Sequence, residues 1–212
     1  MIGLGGSLPI GSFGSKSFSN SNPGFAKPAL TADFSYQYKL FKNHYIAASF
    51  NTRSNKFNNI SYSDQLHSLN NSIIYSVRPD TWKIASFMIG ACDLYNLDKK
   101  QSLLFFDRVL MGLSDVHSPA IFITEQPVGS NTSSWTSQES ANANALSWMV
   151  DLGMQIKYRK RMSFFYLLRY SNIQPTFNNV SITNSSGATS TNSFKQNISL
   201  LEFQIGFLTS FK

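Results

Sequence analysis

From Leu146 to Tyr158 every even-numbered position is apolar or aromatic: Leu146, Trp148, Val150, Leu152, Met154, Ile156 and Tyr158. The odd positions between them are Ser147, Met149, Asp151, Gly153, Gln155 and Lys157. Strand side chains alternate faces with a period of two, whereas a helical face repeats every 3.6 residues, so only an extended strand gathers these side chains into one dry face. The same alternation runs through Ala32, Phe34, Tyr36, Tyr38 and Leu40, with Asp33, Ser35, Gln37 and Lys39 on the opposite parity. It returns at Leu201, Phe203, Ile205 and Phe207, set against Glu202, Gln204 and Gly206. Each of these segments has one wet and one dry side.

Four further stretches, residues 45–57, 81–94, 102–114 and 163–173, are rich in Phe, Tyr, Ile and Leu but mixed in parity, notably where Asp107 and Arg108 fall on opposite faces. A short strand over residues 2–10, with Pro9 confined to an end or an edge, brings the count to eight. The connections alternate in length. Short turns lie at 42–44, 96–101 and 159–162, and long segments rich in Ser, Asn, Gly and Thr lie at 12–28, 58–80, 119–144 and 174–193. In an up-and-down antiparallel arrangement alternate connections share one end, so all the long loops meet at one end and all the short turns at the other. That layout, with strands long enough to cross a bilayer at a tilt, predicts an all-β, eight-stranded antiparallel transmembrane barrel formed by residues 1–212 as a single domain.

Composition excludes several classes. At 42% hydrophobic and 14% aromatic residues the chain is too apolar to be disordered, and no apolar run approaches the roughly 18 to 20 residues of a membrane helix. One cysteine, Cys92, allows neither an internal disulfide framework nor a Cys-based zinc site, and no cofactor or metal is expected. The net charge of +7 invites a nucleic-acid reading, but nine of the 18 basic residues (Lys39, Lys42, Lys99, Lys100, Lys157, Arg159, Lys160, Arg161 and Lys212) cluster at the short turns or the C-terminus, without an aromatic-interleaved basic stripe. A solvated or headgroup-facing rim is expected instead, and no nucleic acid. Met1 to Ile10 lacks the basic start and apolar run of a secretory leader, so a barrel destined for export implies a leader already removed.

The opening GGSLPIGSFG, the GFAKPA of residues 24–29, the strand over 82–90, the SLLFFDRVLMGLS of 102–114, the LGMQIKYR of 152–159 and the closing ISLLEFQIGFLTSF occur in an order that resembles the small outer-membrane β-barrel proteins of Bacteroidetes-type bacteria. The resemblance covers nearly the whole chain. It implies an OmpX- or OmpA-like barrel in a bacterial outer membrane, with periplasmic termini and long surface loops, and no single activity. It also implies partners: outer-membrane lipid and lipopolysaccharide, the assembly machinery, and a surface ligand or protein met through the loops. The C-terminal strand read by that machinery is matched by Phe203, Phe207 and Phe211, with Thr209 and Lys212 as departures.

If the apolar parity faces lipid, Asp33, Lys39, Asp151, Lys157 and Glu202 point inward together with Arg169, and an eight-stranded barrel is narrow enough for side chains to fill. Arg169, Asp151 and Glu202, from three adjacent strands, are expected to form an ion-paired plug. Tyr45, Trp82, Trp148, Tyr158 and Tyr170 are expected in an interfacial aromatic girdle, and Cys92 as a packing residue. Enzymatic candidates are sparse: His67 beside Ser68, His117 beside Ser118 and Asp115, and an isolated His44. Glu125 and Glu139 are isolated loop residues, so no carboxylate pair for glycoside chemistry is evident. The chain therefore reads as non-enzymatic. Two alternatives are a lipid A-modifying enzyme and a soluble lipocalin-like carrier, since alternation alone does not say which face is inside.

Overall fold

The computed structural model describes residues 1–100, 102–159 and 161–209. Eight strands close into a barrel: β1 (Ile2–Ile10), β2 (Ala29–Phe41), β3 (His44–Lys56), β5 (Thr81–Asn96), β6 (Leu103–His117), β9 (Asn142–Arg159), β10 (Met162–Ile173) and β13 (Ile198–Thr209). Their order around the wall is β1-β13-β10-β9-β6-β5-β3-β2, every pair antiparallel, with β1 joined to both β2 and β13. Closure satisfies each strand's main-chain groups on both sides, which an open edge in hydrocarbon cannot do.

The alternation resolves in one sense around the whole wall. Leu4, Phe34, Phe50, Phe87, Met111, Leu152, Leu168 and Phe203, one from each strand, point outward and are 47% to 65% exposed. The opposite parity is buried and carries most of the polar side chains. A lumen filled this way by buried side chains differs from the open apolar cavity that the lipocalin-like alternative calls for. Inward glycines let large neighbours lie across the wall. At Gly153 an added Cβ would stand 2.3 Å from the Phe106 ring and 2.6 Å from the Tyr166 carbonyl oxygen.

The long connections depart from the expectation of irregular loops. Three of them build a second sheet from β4 (Ile73–Pro79), β7 (Ile121–Pro127), β8 (Ser134–Gln138), β11 (Thr176–Asn184) and β12 (Thr189–Lys195), in the order β12-β11-β8-β7-β4. Each of these strands continues a barrel strand beyond the rim, and β7–β8 and β11–β12 are hairpins. Their Ser, Thr and Asn are exposed on both faces for much of their length, so no apolar stripe announces them; pairing between neighbouring hairpins holds them extended. A helix, α2 (Asn59–Leu69), begins where the Asn58 side chain accepts a hydrogen bond from the Ser61 amide at 3.3 Å.

The first long connection folds inward. A single helical turn, α1 (Gly11–Gly14), and the segment after it drive Phe13 and Phe25 into the mouth, where both are fully buried. They pack with Phe57, Trp82, Phe177, Ile198 and Leu200 as an apolar stopper at the long-loop end. Phe25 adopts a left-handed backbone conformation (φ 48°), a rare one for an aromatic residue, fixed here by contacts with Phe18, Phe57 and Tyr62. Burial in that cluster pushes the Tyr62 hydroxyl pKa up.

Candidate functional site

The barrel interior is organised around six buried charges. Cross-strand register places Arg108 on β6 opposite Asp151 on β9, Asp151 opposite Arg169 on β10, and Arg169 opposite Glu202 on β13. Four adjacent strands thus carry a row of alternating sign across the inner wall. Arg169 donates to Asp151 from Nε at 2.7 Å and from Nη2 at 3.1 Å, and reaches over the lumen from Nη1 to Asp33 at 2.8 Å. Arg108 Nε donates to Asp151 Oδ2 at 2.8 Å and its Nη1 to the Ser35 hydroxyl at 3.1 Å. Arg53 on β3 pairs with Glu202 from the opposite wall. Ser49 donates to Asp33 and Gln204 to Glu202.

Three guanidinium groups face three carboxylates, and none of the six side chains is more than marginally exposed. Burying an isolated charge is very costly, and removing one partner from a buried pair exposes the other to that cost. Equal numbers and multiple contacts make the set electrically closed. Alongside it Met88, Phe106, Leu110, Met149, Phe165 and Leu167 fill the remaining interior, with Cys92 buried among them as a packing residue. A ladder of hydroxyls from Ser86 to Ser114 to Ser147 links β5, β6 and β9 at 2.6 and 2.8 Å.

Sequence reasoning named Asp33, Asp151, Arg169 and Glu202, and the structure places all four in this network. Lys39 and Lys157 are corrections. Both carry inward parity, but they stand at the short-turn ends of β2 and β9, where their ammonium groups reach water. Arg53 and Arg108 were not named. Both lie in segments of mixed parity, and charge counting gave no hint of them, because Lys39 and Lys157 with Arg169 already balance the three inward carboxylates; only the exposure of the two lysines leaves room for two more cations.

The aromatic set divides. Trp148 and Tyr170 pair on the outer wall with ring centroids 5.2 Å apart, and Tyr158 is exposed at the short-turn end. Trp82 is a correction: it shares parity with Ile84, Ser86 and Met88, is 3% exposed, and donates from Nε1 to the Gly24 carbonyl inside the stopper. Tyr45 is a second, since it shares the inward parity of Ala47 and Ser49 and packs beside Cys92. Phe203 and Phe207 face outward on β13, and Phe211 lies outside the described residues.

The enzymatic candidates do not assemble. His67 Nδ1 donates to the Ile73 carbonyl at 2.9 Å while the Ser68 hydroxyl donates to Gln65. His117 Nδ1 lies 2.6 Å from Asn142 Oδ1, and the Ser118 hydroxyl accepts from the Ala141 amide. His44 pairs with Asp93 at 2.6 Å on the outer wall. Nucleophile and base are not joined in any of these sets. Among the described residues no three His, Cys, Asp or Glu side chains are placed to hold a metal ion.

The sheet above the rim has two unlike edges. On β4 the free carbonyls of Tyr75 and Ile73 accept hydrogen bonds from Ser63 and His67 of α2, at 2.9 Å each. On β12 no described strand or helix covers the outer side of Thr189 to Phe194, and Asn22 meets the chain beyond them, its side-chain amide donating to the Lys195 carbonyl and its own carbonyl accepting from Gln196 Nε2.

No protein-family model and no curated protein matches the sequence. Among solved structures the chain is similar to Neisserial surface protein A (10% identity, TM-score 0.45, covering 99% of this chain and 96% of that one). It is similar also to Ail, the attachment invasion locus protein of Yersinia pestis (13%, 0.43, 99% and 96%). A third is a major outer membrane protein of Thermus thermophilus (9%, 0.46, 99% and 99%).

Proposed function

We propose that this chain is a non-enzymatic outer-membrane β-barrel, closed to solutes, whose long-loop sheet is a surface for partners outside the cell. The observation that carries the reading is the inversion of the usual globular arrangement: large apolar side chains cover the outer wall of every barrel strand, while six paired charges lie inside. Water would make that exterior prohibitively sticky, because soluble monomers rarely expose apolar patches beyond a few hundred Å². Lipid removes the difficulty, and the closed strand order is one of the two solutions that satisfy backbone groups there.

Two stoppers argue against a pore. The aromatic cluster around Phe13 and Phe25 fills the long-loop mouth, and the charge network crosses the lumen below it. The partners expected of such a protein are outer-membrane lipid and lipopolysaccharide around the wall, the assembly machinery acting on the C-terminal strand, and a surface ligand or protein above the rim. The uncovered edge of β12 suits an extended peptide that adds a strand to the sheet, while α2 closes the opposite edge to the same event.

Extraction and gel mobility test the reading. The folded chain should require detergent, and the unboiled form should migrate differently in SDS from the boiled one. In planar bilayers it should give no large, stable conductance. A monodisperse monomer free of detergent would overturn the membrane assignment, and a steady conductance would overturn closure.

A further inference from the structure

We propose that the short-turn end of the barrel is a binding surface for anionic phospholipid headgroups of the periplasmic leaflet. The inference rests on the outer-membrane reading above and assigns that end a lipid of defined charge.

The net charge of +7 is not spread over the molecule. The interior network cancels internally. Above it, at the long-loop end, six basic residues meet five acidic ones. The excess falls at the short turns, where Lys39 and Lys42, Lys99 and Lys100, and Lys157, Arg159 and Arg161 stand exposed in three groups. Only three acids share this end, and two of them are otherwise engaged. Asp93 pairs with His44, Asp98 holds its own turn through the Leu103 amide, and Asp107 lies opposite Asp93 on the outer wall. Among the described residues none of the seven cations forms an ion pair.

Depth supplies the second argument. Directly beside these cations the outer wall carries Tyr36, Tyr38, Phe41, Tyr158, Phe164 and Tyr166, all exposed. Amphipathic rings settle at the headgroup boundary, so cations just beyond them lie at the level of lipid phosphates. Arg159 is held there, its guanidinium 5.4 Å from the centroid of the Tyr158 ring. A zwitterionic headgroup brings its own ammonium into this positive field and gains little. A phosphodiester without that ammonium gains from several cations at once.

The test uses the full chain folded in detergent, exposed to equal amounts of phosphatidylglycerol and phosphatidylethanolamine, with retained lipid counted by native mass spectrometry. Several-fold enrichment of phosphatidylglycerol is expected, declining as salt rises above about 0.1 M, where the screening length is about 10 Å. Combining Lys99→Glu, Lys100→Glu, Arg159→Glu and Arg161→Glu should abolish the enrichment. Reversing four exposed cations at the other end, Lys16, Lys56, Lys83 and Lys195, should leave it intact. A version with Gln at the four short-turn positions keeps the test open if charge reversal blocks folding, and it too should lose the preference. A heat-shifting, folded barrel without lipid preference, or one whose preference survives the short-turn substitutions, would overturn this inference alone. Absence of the heat shift in the native chain would instead remove the membrane reading and this inference with it.

Discussion

Arg169 grips both carboxylate oxygens of Asp151 from the neighbouring strand, at 2.7 and 3.1 Å, with neither side chain exposed. The same guanidinium also spans the lumen to Asp33, so one residue ties opposite walls together. Replacing it with Met leaves Asp33 short of its charged donor and Asp151 with Arg108 alone. A loss of about 3–5 kcal/mol is expected, read as a lower temperature for the gel-mobility transition. Conductance should stay absent, because the aromatic stopper at the mouth remains.

The pairing of Arg53 with Glu202 gives a separable test. Arg53→Met strands a carboxylate that Gln204 and the more distant Arg169 only partly serve, and Glu202→Gln strands a guanidinium. Each single change should therefore be severe, and the double change milder than their sum by about 0.5–3 kcal/mol. Urea unfolding of the four proteins in detergent measures the coupling; strict additivity would show that the two groups do not act as a pair.

Legibility of the sequence followed the physics of two-faced strands. Where one parity was apolar throughout, as in 146–158 and 201–207, the two faces could be told apart, and Asp151 and Glu202 fell together on the other one. On β6 the parity was ambiguous because Asp107 faces outward among apolar neighbours while Leu104, Phe106 and Leu110 face inward with Arg108. On β3 the run from Asn51 to Lys56 is polar on both faces, and Arg53 was hidden in it. Trp82 misled because its parity at this end of β5, shared with Ile84 against Thr81 and Lys83, marks an apolar face without saying whether that face meets lipid or the aromatic stopper. The upper sheet left little periodic signal, because only the roots of its strands, at Val77, Ile121, Phe177 and Val180, are buried, and beyond them the strands are held by each other's main chains.

Gly153 faces inward beneath the ring of Phe106, and a methyl group there would overlap both that ring and the backbone of β10. Gly153→Ala should weaken or block barrel closure, lowering the fraction that shows the heat-dependent mobility shift. Phe106→Leu in the same chain should restore part of it by withdrawing the ring. If Gly153→Ala folds as well as the native chain, the close approach is not structural.

The turn between β5 and β6 carries a pH-sensitive anchor. The Leu103 amide, donating to Asp98 Oδ1 at 3.0 Å, and the Ser102 hydroxyl hold the Asp98 carboxyl below its ordinary value of 3.8. A carboxyl with a lowered folded pKa stabilises the turn fully above the unfolded value and loses that contribution as pH falls through the folded one. Hydrogen exchange at the Leu103 amide should therefore be slow at neutral pH and accelerate, beyond its intrinsic pH dependence, only below pH 3.8. In Asp98→Asn that additional change should vanish.

Helix α2 protects the sheet at one edge through two side chains, and that protection can be withdrawn. Ser63→Ala with His67→Ala removes the donors to the Tyr75 and Ile73 carbonyls, each worth about 1 kcal/mol. Tyr62 still fastens the start of the helix to Phe18 and Phe25, so only its C-terminal half should lift. The uncovered edge of β4 would then resemble that of β12, and two copies could pair edge to edge. Light scattering of the folded protein in detergent should show a dimer fraction that grows with concentration and is larger in the double variant than in the native chain, which has one uncovered edge instead of two. A variant that stays monomeric, with unchanged amide protection along β4, would mean that the edge is guarded by something other than these two hydrogen bonds.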